Sequence, residues 1–183
     1  MGKTYDRLDD SLRAFIGRQS MFFVATAPLA GDGLVNLSPK GLDSFRILDD
    51  HNVAYLDLTG SGIETLAHVR ENGRIVLMFC AFEGKPMILR LHGRATAHEE
   101  GSPEFEALRG LFPGFEGARA LIRVEVRRIA DSCGWGVPLY ECQGQRDTLL
   151  RYYEQKGPDQ VRAMRVQGNA TSLDGLPGLT GAS

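Results

Sequence analysis

The sequence predicts a mainly β protein, a small β-barrel with peripheral helices. Three observations carry this. About six apolar runs of strand length recur at short spacing along the chain. Amphipathic helical stretches stand toward both ends, and one short helix lies between strands. Neither an internal repeat nor a linker divides the 183 residues, so 1–183 reads as a single domain.

Each element has its own signal. Leu8, Leu12, Phe15 and Ile16 recur at helical spacing and predict a helix over about residues 6–17. MFFVATA (Met21 to Ala27) reads as a strand, and PLAGDG (Pro28 to Gly33) as a turn with Asp32-Gly33 as hairpin signal. LVNLSPKG is the return strand, its pairing limited by Pro39. FRIL and NVAYLDL flank DDH as a second hairpin. Ile63 to Glu71 predicts a short helix with Ile63, Leu66 and Ala67 inward, stopped by Asn72-Gly73. RIVLMFCAF (Arg74 to Phe82) alternates little and reads as a strand buried on both faces. MILRLHGRATAH is the next strand. Ser102 as N-cap and Pro103 after it start a helix that Pro113 should end. Arg119 to Asp131 alternates apolar and charged residues, as a strand with one wet face does. TLLRYYEQKG predicts a helix stopping at Gly157, and the Gly-, Ser- and Asn-rich tail over about 167–183 reads as irregular.

Composition narrows the function. The chain has 21 Lys and Arg against 23 Asp and Glu, interspersed, which argues against a nucleic-acid or membrane-surface role built on a basic patch. No run approaches the roughly 18 apolar residues of a membrane span. The N-terminal MGKTYDRLDD has no apolar core, so no secretory leader is expected. Cys80, Cys133 and Cys142 are odd in number and widely spaced, which predicts reduced thiols in a cytoplasmic protein and no zinc site. Cys80 and Cys133 are expected to be buried, and His68 to lie on the surface. Asp43, Asp49 and Asp50 sit among turns and read as solvated. No Gly-x-Ser-x-Gly elbow occurs.

The stretch from Leu58 to Ile63, LTGSGI, raises a sharper question. A helix N-terminus presents unpaired N–H groups and attracts anions. Gly60 and Gly62 permit close approach, Thr59, Ser61 and Thr65 carry hydroxyls, and Lys40 is a candidate counter-charge. The stretch lacks both the P-loop ending and the last glycine of the dinucleotide fingerprint. On the residues alone, a phosphate cradle and a plain chain reversal both stay open.

Several segments then match a known pattern in order. VNLSPK (Val35 to Lys40) is similar to a second strand ending in Lys that runs along a flavin. Leu58-Thr59 is similar to a strand-ending Tyr-Thr, Asn72 and Arg74 to a helix-ending Asn-Pro-Arg, and IVLMF to the buried strand that follows. LRLHGRA (Leu89 to Ala95) is similar to Val-Arg-Val-Glu-Gly-Arg-Ala. From about Asp10 to Asp131 the chain resembles the pyridoxamine 5'-phosphate oxidase-like family of FMN-binding split β-barrels.

The resemblance implies an FMN-binding split barrel and a homodimer with non-covalent FMN between subunits. It implies an oxidoreductase passing hydride or electrons to or from a small molecule. Asn36, Ser38 and Lys40 would follow the ring and ribityl chain. Leu58, Thr59, Gly60, Ser61 and Thr65, with Lys40, would hold the phosphate, and Arg90 would add a second cation. Trp135 would reach the ring from the partner, or only pack. No catalytic acid, base or metal ligand is assigned. The chain also departs from the family, with Ile63-Glu64-Thr65 where the oxidase proper has Ser-Arg-Lys, and SCGWGVPLYE (Ser132 to Glu141) in place of a substrate-contacting Arg-Leu-Pro segment. Those departures keep two alternatives, a non-catalytic flavin or haem carrier and a deazaflavin-dependent reductase.

Overall fold

The computed structural model of the protein describes residues 2–180. Residues 1 and 181–183 of the predicted domain, the last three in its predicted tail, lie outside the described residues. The elements, in order, are β1 (Thr4–Tyr5), α1 (Asp10–Gly17), β2 (Phe22–Thr26), β3 (Asn36–Lys40), β4 (Phe45–Ile47), β5 (Asn52–Leu58), α2 (Glu64–Asn72), β6 (Arg74–Cys80), β7 (Ile88–Glu99), α3 (Pro103–Arg109), β8 (Ala118–Ser132) and α4 (Thr148–Gly168). The strands form one antiparallel sheet in the order β3-β2-β6-β7-β8-β5-β4, with β1 added against β8. No helix among the described residues is long and apolar enough to cross a membrane.

The sheet curls because its two longest strands bend. The β7–β8 register shifts between His92 and Gly93, a bulge that sharpens local twist. A Cβ at Gly93 would stand 2.3 Å from the Glu125 carbonyl oxygen, so only glycine fits there. The curl brings the ends of the strand order together. Phe22 on β2 packs against Phe45 on β4 with ring centroids 5.2 Å apart, and Phe79 on β6 contacts both. Alternate residues of the strands fill the interior, and Leu12, Phe15 and Ile16 of α1 and Leu66 and Val69 of α2 cover it. Ala54 and Leu56 face the other way, onto Phe105 of α3 and onto Phe112. This leaves β5 buried on both faces.

Several boundaries differ from the sequence-based expectation. The first helix starts at Asp10 rather than near residue 6, because Asp9 caps it by accepting from Leu12 N–H at 2.9 Å. β6 alternates, with Ile75, Leu77 and Phe79 buried and Val76 and Met78 half-exposed, so it is not buried on both faces. α3 ends at Arg109, ahead of Pro113. α4 does not stop at Gly157. The backbone breaks there (φ 72°, ψ 164°), and the helix restarts at Pro158 and runs to Gly168. α2 closes as expected, on left-handed Gly73.

Candidate functional site

At the end of β5, Asp57 lies buried between two cations. Lys40 Nζ is 2.8 Å from Oδ1, and Arg119 Nε is 2.8 Å from Oδ2. Burial pushes the Asp57 carboxyl up, but Lys40 and then Arg119 outweigh it and bring the pKa to about 2. Arg119 also donates to Asn169 Oδ1 at 2.7 Å, and Asn169 Nδ2 donates to the Gly60 carbonyl at 3.0 Å.

Thr59 is buried and fully partnered. Its hydroxyl donates to the Gly117 carbonyl at 2.8 Å and accepts from Arg165 Nε at 2.7 Å. Its carbonyl accepts from the Tyr153 hydroxyl. Burial, chiefly, pushes the Tyr153 phenol up to about 12, so it remains a donor. Both halves of α4 are thus tied to the β5–α2 turn, Tyr153 from the first and Arg165 from the second.

A second polar cluster lies at the other end of β3. Asn36 Nδ2 donates to Thr65 Oγ1 at 2.8 Å and approaches Thr26 Oγ1 at 3.3 Å, while Ser38 donates to Asn36 Oδ1. Thr26 Oγ1 is 3.0 Å from His68 Nδ1, and His68 Nε2 is 3.5 Å from Asp174. His68 is fully buried, not at the surface, because it faces the sheet and the C-terminal tail rather than solvent.

A cleft of about 1340 Å³ opens beside these residues. Met21, Phe23 and Pro39 form one apolar wall, and Leu58, Gly60 and Lys40 reach its floor. Residues of the 140–146 segment, Tyr140 to Cys142 and Gly144 to Arg146, also line it. Tyr140 N–H donates to the Phe82 carbonyl at 3.0 Å, and Gln145 spans from the Ser20 carbonyl to Leu42 N–H at 2.7 and 2.9 Å. Leu42 is held at φ 59°, a left-handed conformation that is strained for a non-glycine residue. Arg18, Lys85 and Arg146 place cationic side chains along the cleft.

The structure brings Lys40, Leu58, Thr59 and Gly60 to one cleft and puts Asn36, Ser38 and Thr65 in the neighbouring cluster. Ser61 is exposed at the turn between them. Arg90 does not line the cleft and donates to Ser132 Oγ at 3.0 Å. Trp135 is 83 % exposed, so it packs in neither the core nor the cleft of its own chain. Cys80 is buried as expected, but Cys133 is exposed. Asp57, Arg119, Arg165 and Gln145 are site residues that sequence reasoning missed.

A family model for pyridoxamine 5'-phosphate oxidase matches residues 8–133. The pyridoxamine 5'-phosphate oxidase family protein ustO of Aspergillus flavus is 39 % identical over 195 aligned positions, covering 97 % of this chain and 78 % of the relative. Among solved structures, HupZ of Group A Streptococcus is 28 % identical with a TM-score of 0.54, covering 66 % of this chain and 90 % of that one. An FAD-binding protein of Mesorhizobium loti shares the fold at 12 % identity and a TM-score of 0.50, covering 72 % of this chain and 96 % of that one.

Proposed function

The chain belongs to the pyridoxamine 5'-phosphate oxidase family, and we propose that it is a flavin-dependent oxidoreductase holding FMN in the cleft beside Lys40 and Gly60. The observation that carries this reading is the cleft itself. It runs along Pro39 and Lys40 and ends on Leu58 to Gly60, segments that the family pattern assigns to the flavin. The fold neighbour described as FAD-binding supports a flavin as the cofactor class.

The residues fit the two ends of the cofactor differently. Phe23, Met21 and Pro39 offer an apolar wall of the kind a ring system fills. Lys40 is only partly exposed and shares its charge with Asp57, so it offers a polar floor rather than a free cation. The α2 turn does not fit a phosphate. Thr59 and Thr65 hydroxyls are already bonded, and the Glu64 carboxylate folds back so far that a Cβ at Gly62 would stand 2.3 Å from its oxygen. Arg18, Lys85 and Arg146 are the cleft groups with the charge to meet a phosphate.

A bound flavin supplies two-electron transfer at its ring; the protein supplies position and polarity. Gln145 pins the 140–146 segment to Ser20 and to Leu42 of the β3–β4 connection. The same reading includes a homodimer. β3 is an edge strand, and Leu34, Val35 and Leu37 are exposed on and just before it. A second copy covering that edge would remove both the open edge and the apolar row from water. Arg90 and Trp135 would then serve the partner's cleft.

Anaerobic addition of NADH or NADPH to the FMN-loaded protein tests the catalytic half of this reading. Bleaching of the flavin absorbance by either donor is expected. A protein that binds FMN but leaves it oxidised with both donors would be a carrier.

A further inference from the structure

The chain's own C-terminal segment, residues 169–180, runs beside the turn that opens α2 and along that helix. Asn169 is buried and joins the Gly60 carbonyl to Arg119. Leu173 N–H donates to Glu64 Oε1 at 3.4 Å. Asp174 accepts from Leu34 N–H at 3.1 Å and lies 3.5 Å from His68 Nε2. Further along, Arg70 donates to the Gly178 carbonyl, Leu179 packs on the main core, and Thr180 N–H donates to Glu99. The segment is also bonded to itself, through the Thr171–Pro177 bridge and Gly178 N–H to the Ala170 carbonyl at 2.8 Å.

These contacts do two things. They hold acceptors at the turn, the Gly60 carbonyl and the Glu64 carboxylate, and they set two carboxylates, Glu64 and Asp174, along the same helix. A phosphate entering there would meet like charge. The geometry points to residues 169–180 as a strap fixed along α2, so that the cleft's ligand is recognised by its ring, its polyol chain and the cleft cations, with no phosphate at the turn where Glu64 stands. The strap rests on contacts within this chain; the statement about ligand recognition rests on the flavin reading.

Hydrogen exchange of the full chain separates the two. It is measured alone, with excess inorganic phosphate, and with saturating FMN, following peptides over 61–66 and 169–180. Unchanged protection of both regions in all three states is expected, with FMN altering exchange at 39–44, 82–85 and 140–146. Loss of protection over 169–180 together with a change at 61–66, on adding phosphate or FMN, would show the strap displaced and overturn the proposal. Two variants give a second readout. Ser61→Ala and Glu64→Gln should each change FMN affinity less than about twofold, whereas a roughly tenfold loss in Ser61→Ala would place the phosphate at the turn. A folded chain that takes up no FMN would end the flavin reading, and the phosphate arm would still decide the strap.

Discussion

Arg165 on α4 donates to the Thr59 hydroxyl at 2.7 Å, joining points 106 residues apart in the chain. The same guanidinium reaches the Ala118 carbonyl at 2.9 Å and the Glu100 carboxylate. Through it the last helix fixes the floor of the cleft. Arg165→Ala leaves the buried Thr59 and Ala118 acceptors short of a donor and should cost about 2–3 kcal/mol. Tyr153→Phe, which loses one donor to the Thr59 carbonyl, should cost about 1 kcal/mol. Urea unfolding of both variants checks the order.

Asp57 should make the protein acid-sensitive only at low pH. Its folded pKa of about 2 lies below the ordinary carboxylate value, so the unfolded chain binds the proton first. The stabilisation is full above about pH 4 and is lost as pH falls toward about 2. Urea midpoints across that range should fall in the native protein. Asp57→Asn should lose part of this slope, and an unchanged slope would contradict the assignment.

Removing the buried partner of this charge, Arg119, should cost more than removing the part-exposed one, Lys40. Arg119→Ala strands Asp57 in the interior and should destabilise by about 3–5 kcal/mol. Lys40→Ala should cost less, since Lys40 is part-exposed and Arg119 remains. Thermal melts of the two variants at neutral pH measure the difference.

Gly117 sits at φ +82° with the Tyr153 ring 2.6 Å from where a Cβ would be. Gly117→Ala therefore strains the backbone and pushes Tyr153 from Thr59. A loss of about 1–3 kcal/mol is expected in chemical unfolding. Trp135→Ala, by contrast, should leave monomer stability within about 0.5 kcal/mol.

Most of the sheet was legible in the sequence because its signals are local. Arg119 to Asp131 forms most of β8, with its wet face confined to Arg123–Arg128, since Ala118 to Ile122 are all buried. Asn72-Gly73 stops α2 by local backbone chemistry, and it does so in the structure. The two-residue β1 left no pattern, since its place depends on pairing with Ile129 and Ala130. Gly157-Pro158 is locally a stop; that a second helical piece follows is decided by Val161 and Arg165 packing inward. The site was less legible for the same reason. Thr59 stands out in the sequence for its hydroxyl, but the hydroxyl turns inward to Gly117 and Arg165. Asp57, Arg119 and Asn169 come together from three distant segments, and no short motif marks such a meeting. Gln145 is one polar residue in a loop, given meaning only by Ser20 and Leu42 opposite it.

The homodimer has its own test. Light scattering of the native protein should give twice the chain mass. Val35→Glu with Leu37→Glu, both on the exposed row at β3, should give a folded monomer. A native monomer would contradict this part of the account.

The central claim is that the cleft holds a flavin. The visible absorption spectrum of the freshly purified protein, with the mass of whatever denaturation releases, tests it most directly. The account predicts a yellow protein that releases FMN, one per chain. A colourless, folded protein that takes up no added FMN would contradict it.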